Sequence, residues 1–168
     1  MSRPSVGRSP GPSREGDVIG VLTNTKQLQQ ILVDEVQLSQ IIDGILSIDQ
    51  SSARSFLGRT TLSAYRKVHN LVSSALDRIS TSPEFREGLL SDLSKALILV
   101  KYQSAREQIS QSIARCIESI IKVVGDAMRG YASEIRGGGK GDWEKVKKFA
   151  KNARTLIDSL AVIAYEYL

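Results

Sequence analysis

Between positions 85 and 135 the apolar residues Phe85, Leu89, Leu90, Leu93, Leu97, Val100, Ile109, Ile113, Ile117, Ile120, Val124, Met128 and Ile135 recur mostly at helical spacing, with no proline among them. A strand turns a side chain inward every second residue. Only an α-helix with one buried stripe satisfies intervals of three and four. A single helix over the whole span would be several times the usual length of about a dozen residues, so a break is expected between Ser91 and Ser104. There Ala96, Leu97, Ile98, Leu99 and Val100 are apolar on every side and are expected to be buried.

The same spacing continues on either side. Leu28, Ile31, Leu32, Val36, Leu38, Ile41, Ile42, Ile45 and Leu46 predict a first helix from Asn24 to about Ile48, and residues 49–57 read as a loop. Thr60 or Thr61 can cap a second helix running to about Ser80, with Leu62, Tyr65, Val68, Val72, Ala75, Leu76 and Ile79 inward. Ser82, Pro83 and Glu84 supply a cap, a first-turn proline and a first-turn acid for a third helix. Residues 137–141, GGGKG, are a flexible turn that lacks the spacing of a phosphate-binding loop. Asp142 then caps a final helix to Leu168 with Val146, Phe149, Ala153, Leu156, Ile157, Leu160, Ile163 and Ala164 inward.

These readings add up to an all-α protein: one helical-bundle domain of about five helices over residues 18–168. Residues 1–17, with Pro4, Pro10 and Pro12, four Ser, three Gly and three Arg, have almost nothing to bury and are expected to be a disordered basic tail. The low aromatic content, 5%, means a core of Ile, Leu, Val and Ala. No apolar run reaches the roughly 18 residues of a membrane span and no signal-peptide pattern is present, so a cytoplasmic protein without membrane contact is expected.

The net charge is +5, unevenly spread. Between 18 and 53 Lys26 stands against Asp34, Glu35, Asp43 and Asp49, whereas residues 54–122 hold eleven bases against six acids. The basic excess begins beside residues 58–70, GRTTLSAYRKVHN. This stretch and residues 97–106, LILVKYQSAR, each place a Tyr and basic residues along an apolar stripe, so a basic head can reach an anion while its stem stays packed. The two stretches read as halves of one surface suited to a nucleic-acid backbone. A helix start with free N–H groups, the Thr60 and Thr61 hydroxyls and Arg59 alongside suits a phosphate. Lys147, Lys151 and Arg154, beside Lys148, form a basic ridge on the last helix, for which a solvated face is a slightly better account than RNA contact and protein docking is also open.

Catalytic chemistry is not legible. An enzyme needs a nucleophile with its base, paired carboxylates, a metal cluster or a cofactor loop. The one histidine, His69, sits beside an apolar stripe, and the one cysteine, Cys116, lies on another, where a thiol behaves as a small hydrophobe. The acids are scattered. They can still converge from distant segments, so a divalent-metal nuclease site stays open, but no cofactor or metal is implied.

Thr60-Thr61 with Arg66-Lys67 at the opening of a helix, then Leu97-x-Leu-x-x-Tyr102-x-x-x-Arg106, then a last helix containing Leu156-Ile-Asp-Ser-Leu-Ala-Val-Ile-Ala-Tyr165, occur in that order over residues 58–168. This arrangement resembles the small helical subunit of the type III-A (Csm) CRISPR interference complex. The acidic first helix and the basic tail are additions to that pattern. The resemblance implies a non-catalytic subunit of an antiviral ribonucleoprotein. It would stack in several copies, contact guide and target RNA through phosphates, and touch backbone and large subunits of the complex. Carried onto this chain, the RNA-contact positions are Arg59, Arg66, Lys67, Tyr102 and Arg106. Tyr102 either stacks on a base or packs, packing being the expectation. Lys147, Lys151 and Arg154 are a weaker second set. Base pairing reads sequence in such a complex, so Arg and Lys need hold only backbone shape. The alternatives are a type III-B (Cmr) small subunit, or a helical bundle that binds only protein, with Arg66 and Arg106 paired to acids such as Asp77 or Glu107.

Overall fold

The computed structural model describes residues 16–168, which form eight α-helices. They are α1 Gly16–Leu22, α2 Thr25–Val33, α3 Glu35–Leu46, α4 Gln50–Leu57, α5 Leu62–Thr81, α6 Glu87–Ala105, α7 Gln111–Arg136 and α8 Trp143–Tyr167. The all-α expectation holds, and the count of about five is corrected upward. Of the expected tail, residues 1–15 lie outside the described residues, and Gly16 and Asp17 open α1.

Of the three extra helices, α1 precedes the first predicted one, and the other two come from places where local caps override hydrophobic spacing. Asp34 adopts an extended conformation, φ −110° and ψ 103°, and its Oδ1 accepts from the N–H groups of Val36 and Gln37 at 3.0 and 3.2 Å. The single helix predicted from Asn24 to Ile48 therefore becomes α2 and α3, because a short acidic side chain satisfies the free donors better than a continued ladder. The expected loop at 49–57 is largely helix α4. Asp49 caps it through Ser52 N–H at 2.8 Å, and Ala53, Phe56 and Leu57 are buried.

The long apolar span breaks later than expected. α6 continues through Ser104, and the chain turns over residues 106–110. Glu107 there adopts φ 57°, Gln108 N–H donates to Gln103 O at 2.9 Å and Glu107 N–H to Ser104 O at 2.9 Å. That double closure is a Schellman ending with glutamate where glycine is usual. Ile98, in the run expected to be wholly buried, is 67% exposed, since α6 has neighbours on fewer sides than the run requires. The helix start expected at Ser82 and Pro83 is also displaced. Ser82, held extended by the following proline, ends α5, and its hydroxyl donates to Glu84 O at 2.6 Å, so α6 opens only at Glu87.

Helices α5 to α8 form an up-down-up-down bundle. Arg78 with Asp92 joins α5 to α6, Lys101 with Glu118 and Arg136 with Glu87 join α6 to α7, and Arg154 with Asp77 joins α8 to α5. The α5/α8 seam is the most extensive, α2 lies across α7 and α8, and α3 packs on α8. Asn152, buried on α8, donates its side-chain N–H to Leu32 O at 2.8 Å and fixes the end of α2 there. At the α7/α8 turn Trp143 packs against Phe85 and Tyr131 and donates Nε1–H to Ser82 O at 2.8 Å. One continuous core runs from Leu22 to Ala164. All eight residues predicted inward on α8 are buried in it.

Candidate nucleic-acid interface

Four helix ends meet at the pole opposite Trp143: the starts of α5 and α7 and the ends of α6 and α8. Two loops interlock there. Thr61 N–H donates to Gln108 O at 2.9 Å, Ser110 N–H to Thr60 Oγ1 at 2.8 Å, and the Ser110 hydroxyl to Phe56 O at 2.7 Å while accepting from Ile113 N–H at 3.1 Å. Gly58 turns the chain into this knot with φ 53°, a conformation that any Cβ would strain.

The knot joins the two stretches singled out in the sequence, and it also removes part of what was expected of them. Thr60 is buried and spends its hydroxyl on Ser110, and Thr61 caps Ala64 N–H at 3.3 Å. The two hydroxyls expected to receive a phosphate are therefore internal ties. Arg59, exposed on the same loop, is left at the rim.

One turn into α5, Arg66 and Lys67 are exposed. The Arg66 guanidinium lies 5.4 Å from the centre of the Tyr165 ring on α8, and Tyr165 is 49% exposed. At the end of α6 a second pair repeats the motif. Arg106 lies 5.4 Å from the Tyr102 ring centre and donates Nη1–H to its hydroxyl at 3.1 Å. Tyr102 is 53% exposed, so the expectation that it packs is corrected: the end of α6 projects past the neighbours that would have covered it. Neither Arg66 nor Arg106 forms an ion pair among the described residues. Asp77, offered as an acid partner for them, is taken by Arg154 Nε at 3.1 Å. A guanidinium over an aromatic face is held in place without being neutralised, and its outer N–H groups remain able to meet an anion.

The ridge on α8 behaves differently. Lys147 pairs with Glu144 at 3.3 Å, Lys148 with Glu35 at 3.8 Å, and Arg154 with both Asp77 and Asp158. Only Lys151 of the ridge carries no ion pair among the described residues. These side chains sit in the half of α8 nearer the Trp143 pole and do not join the Arg59, Arg66, Lys67, Tyr102 and Arg106 set.

His69 and Cys116 are accounted for by packing. The His69 ring stacks on Tyr65, and its Nε2 lies 3.2 Å from Asp158 Oδ1 and 3.4 Å from the Ser73 hydroxyl. Burial raises the Tyr65 hydroxyl well above the ordinary tyrosine range, with Tyr165 and Asp158 adding to the effect. Burial likewise pushes the Cys116 thiol up to about 12, so it is no nucleophile. Among the described residues no three His, Cys, Asp or Glu side chains gather as metal ligands. No helix among them is long and apolar enough to cross a membrane. A groove of about 950 Å³ between α2, α7 and α8 sets Lys26 and Lys145 among Asp126, Glu134 and Asp142, a mixture with no single-sign field.

Sequence reasoning missed Tyr165 as a site residue. The signal was available: Ile163 and Ala164 face inward, which turns the next position outward and leaves an aromatic ring exposed on α8. Arg54 and Arg115, exposed at the same pole, were likewise not singled out.

Comparison of the chain with family models, curated proteins and solved structures yields no match.

Proposed function

We propose that this protein is a non-catalytic RNA-binding subunit that holds a phosphate backbone at one pole of its bundle. Within that reading it is the small subunit of a type III CRISPR effector complex. The observation that carries the RNA reading is the set of exposed cations at the knotted pole that have no carboxylate partner among the described residues: Arg59, Arg66, Lys67 and Arg106, with Arg54 and Arg115 beside them. The seam cations Arg78, Lys101 and Arg154 are matched with acids. Lys26, Lys95, Lys122, Lys140, Lys145 and Lys151 are also exposed without an ion pair among the described residues, so what sets the pole apart is that five of its six unpaired cations are arginines, whose planar guanidinium suits bidentate phosphate contact. The assignment to a type III complex rests on the ordered sequence resemblance over residues 58–168, and a cytoplasmic location and stacking copies belong to the same proposal.

The test has two levels. RNA binding followed by fluorescence anisotropy should weaken steeply with salt, and Arg59→Glu with Lys67→Glu should weaken it for every sequence tried. Removing one cation that neutralises a phosphate should lower the slope of log K against log salt by roughly 0.7–0.9. A salt-insensitive interaction confined to proteins would instead favour the protein-only bundle. Purification of the tagged protein from its native cells should bring down a multi-subunit complex with repeat-derived guide RNA. Recovery of unrelated proteins without RNA would reject the type III assignment.

A further inference from the structure

Tyr102 and Tyr165 occupy matching places. Each is about half exposed near the C-terminal end of its helix, and each has an arginine 5.4 Å from its ring centre. They sit on α6 and α8, the two helices that flank α5 in the bundle. The exposed face of α5 between them carries Arg66 and Lys67, and Arg59 lies at its start. Because α6 and α8 also both pack on α7, they stand on a diagonal of the bundle, with axes on the order of 11–14 Å apart.

We infer that Tyr102 and Tyr165 are two base-stacking platforms for one single strand of RNA whose phosphates run across Arg66 and Lys67. The inference rests on the RNA-backbone reading above and extends it: the ligand is unpaired, and Tyr165 is a binding residue. In each pair the guanidinium orders one side of a ring that stays half open to solvent. Aromatic rings on a cationic track are what single-strand binding requires, since every base has a π-face and stacking needs no sequence code. A duplex buries its base faces within its own stack. It could use the cations but not the rings.

Tyrosine and arginine are also common in protein interfaces. Ile98, one turn before Tyr102, and Val162, one turn before Tyr165, are exposed at 67% and 47%. The unmatched cations between the rings favour the nucleic acid, because protein interface cores are depleted of lysine and of unpaired charge.

The experiment compares oligouridylate of about 12 nucleotides with a duplex of the same length, at low and physiological salt, for the intact chain and for Tyr165→Ala, Tyr165→Phe and Tyr102→Ala. The expected result is tighter binding of the single strand. Each alanine variant should weaken that binding by roughly five- to tenfold, at the lower end of the stacking range. The salt slope should not change, Tyr165→Phe should keep most of the affinity, and duplex binding should be untouched. Melting temperatures check that the variants fold, as both rings are largely outside the core. If Tyr165→Ala binds the single strand as well as the intact chain while Arg59→Glu with Lys67→Glu abolishes binding, the platforms are wrong and the backbone reading stands. If Tyr165→Ala leaves RNA binding alone but changes self-association in sedimentation, the ring is a protein contact and the inference fails. If no RNA binds at low salt even at ~1 mM, well above ordinary non-specific dissociation constants, both readings fail together.

Discussion

Replacing Ser110 by alanine tests whether the knot at the cationic pole is a structural device. The hydroxyl caps α7 by accepting from Ile113 N–H at 3.1 Å, and it donates to the Phe56 carbonyl at 2.7 Å. Loss of an N-cap costs about 1 kcal/mol. Leaving a part-buried carbonyl without its donor costs about 1 kcal/mol more. One hydroxyl serves both groups, so the sum of about 2 kcal/mol should appear in a single substitution. With a urea slope of roughly 2 kcal/mol/M, the unfolding midpoint followed by circular dichroism should fall by about 1 M at unchanged slope. Ser110→Thr, which keeps the oxygen, should recover most of the stability. Hydrogen exchange gives the spatial check: the Thr61 and Ile113 amides, bonded across or beside the knot, should lose protection before the α5/α8 seam does. A destabilisation below about 0.5 kcal/mol, or a uniform decline of protection through the bundle, would refute the assignment. In the first case water would be serving both groups, and in the second the residue would be acting on global stability alone.

Gly141→Ala should be more damaging: Gly141 has φ 60° and a Cβ would stand 2.6 Å from the Tyr131 ring, which Phe85 and Trp143 hold in place. Left-handed strain and overpacking together suggest about 3 kcal/mol and a melting temperature lowered by roughly 6–12 °C in calorimetry; an unchanged melting point would show that the ring moves aside freely. Glu107→Gly should stabilise by about 0.5–1 kcal/mol in the same urea assay, since glutamate at φ 57° carries a backbone strain that glycine lacks; destabilisation would mean the Glu107 side chain contributes more than the strain costs. Cys116 should make stability fall at high pH. Its thiol is raised from 9.0 to about 12 in the fold, so its contribution is complete below about pH 9 and is lost as pH rises from there towards 12, because the unfolded chain gives up the proton first. Relative to Cys116→Ala, the intact chain should lose up to about 1.4 kcal/mol per pH unit in that window, and parallel curves for the two would overturn the burial argument.

The elements legible in the sequence were those where spacing and capping agree. α8 shows an aspartate cap, an unbroken stripe and no competing signal, and it folds as its spacing predicts. The class of the fold followed from the same periodicity. The breaks were harder, because three of them depend on residues that are ordinary within helices. Asp34 ends one helix and starts another by capping its own successors. Asp49 nucleates α4 from a stretch whose apolar residues are too few to show a stripe. Glu107 takes a left-handed conformation with neither glycine nor proline to announce it. At Ser82 the opposite happened: the residues of a helix start were present, but the extended backbone before Pro83 and the Trp143 indole on the Ser82 carbonyl turned it into an end.

The candidate site shows a related division between charge as composition and charge as placement. In the sequence Arg154 and Arg66 are both basic residues beside an apolar stripe, differing locally in that Arg154 has Asp158 four positions on. In the bundle both come to lie on the α5/α8 seam, yet Arg154 meets Asp77 and Asp158 while Arg66 meets Tyr165. The first is neutralised and serves the fold. The second keeps its charge, because an aromatic face orients a guanidinium without supplying a counterion. What decides the difference is the residue opposite, contributed from about a hundred positions away in one case and from both seam helices in the other. Asp158, four positions after Arg154, is legible in the local sequence, whereas Asp77 and Tyr165 are brought in only by the antiparallel seam. The seam withdraws Arg154 from the set of available cations while Glu144 on the same helix withdraws Lys147, Arg59, Arg66, Lys67 and Arg106 are left at one pole, and Tyr165 is added as the surface on which a base could rest.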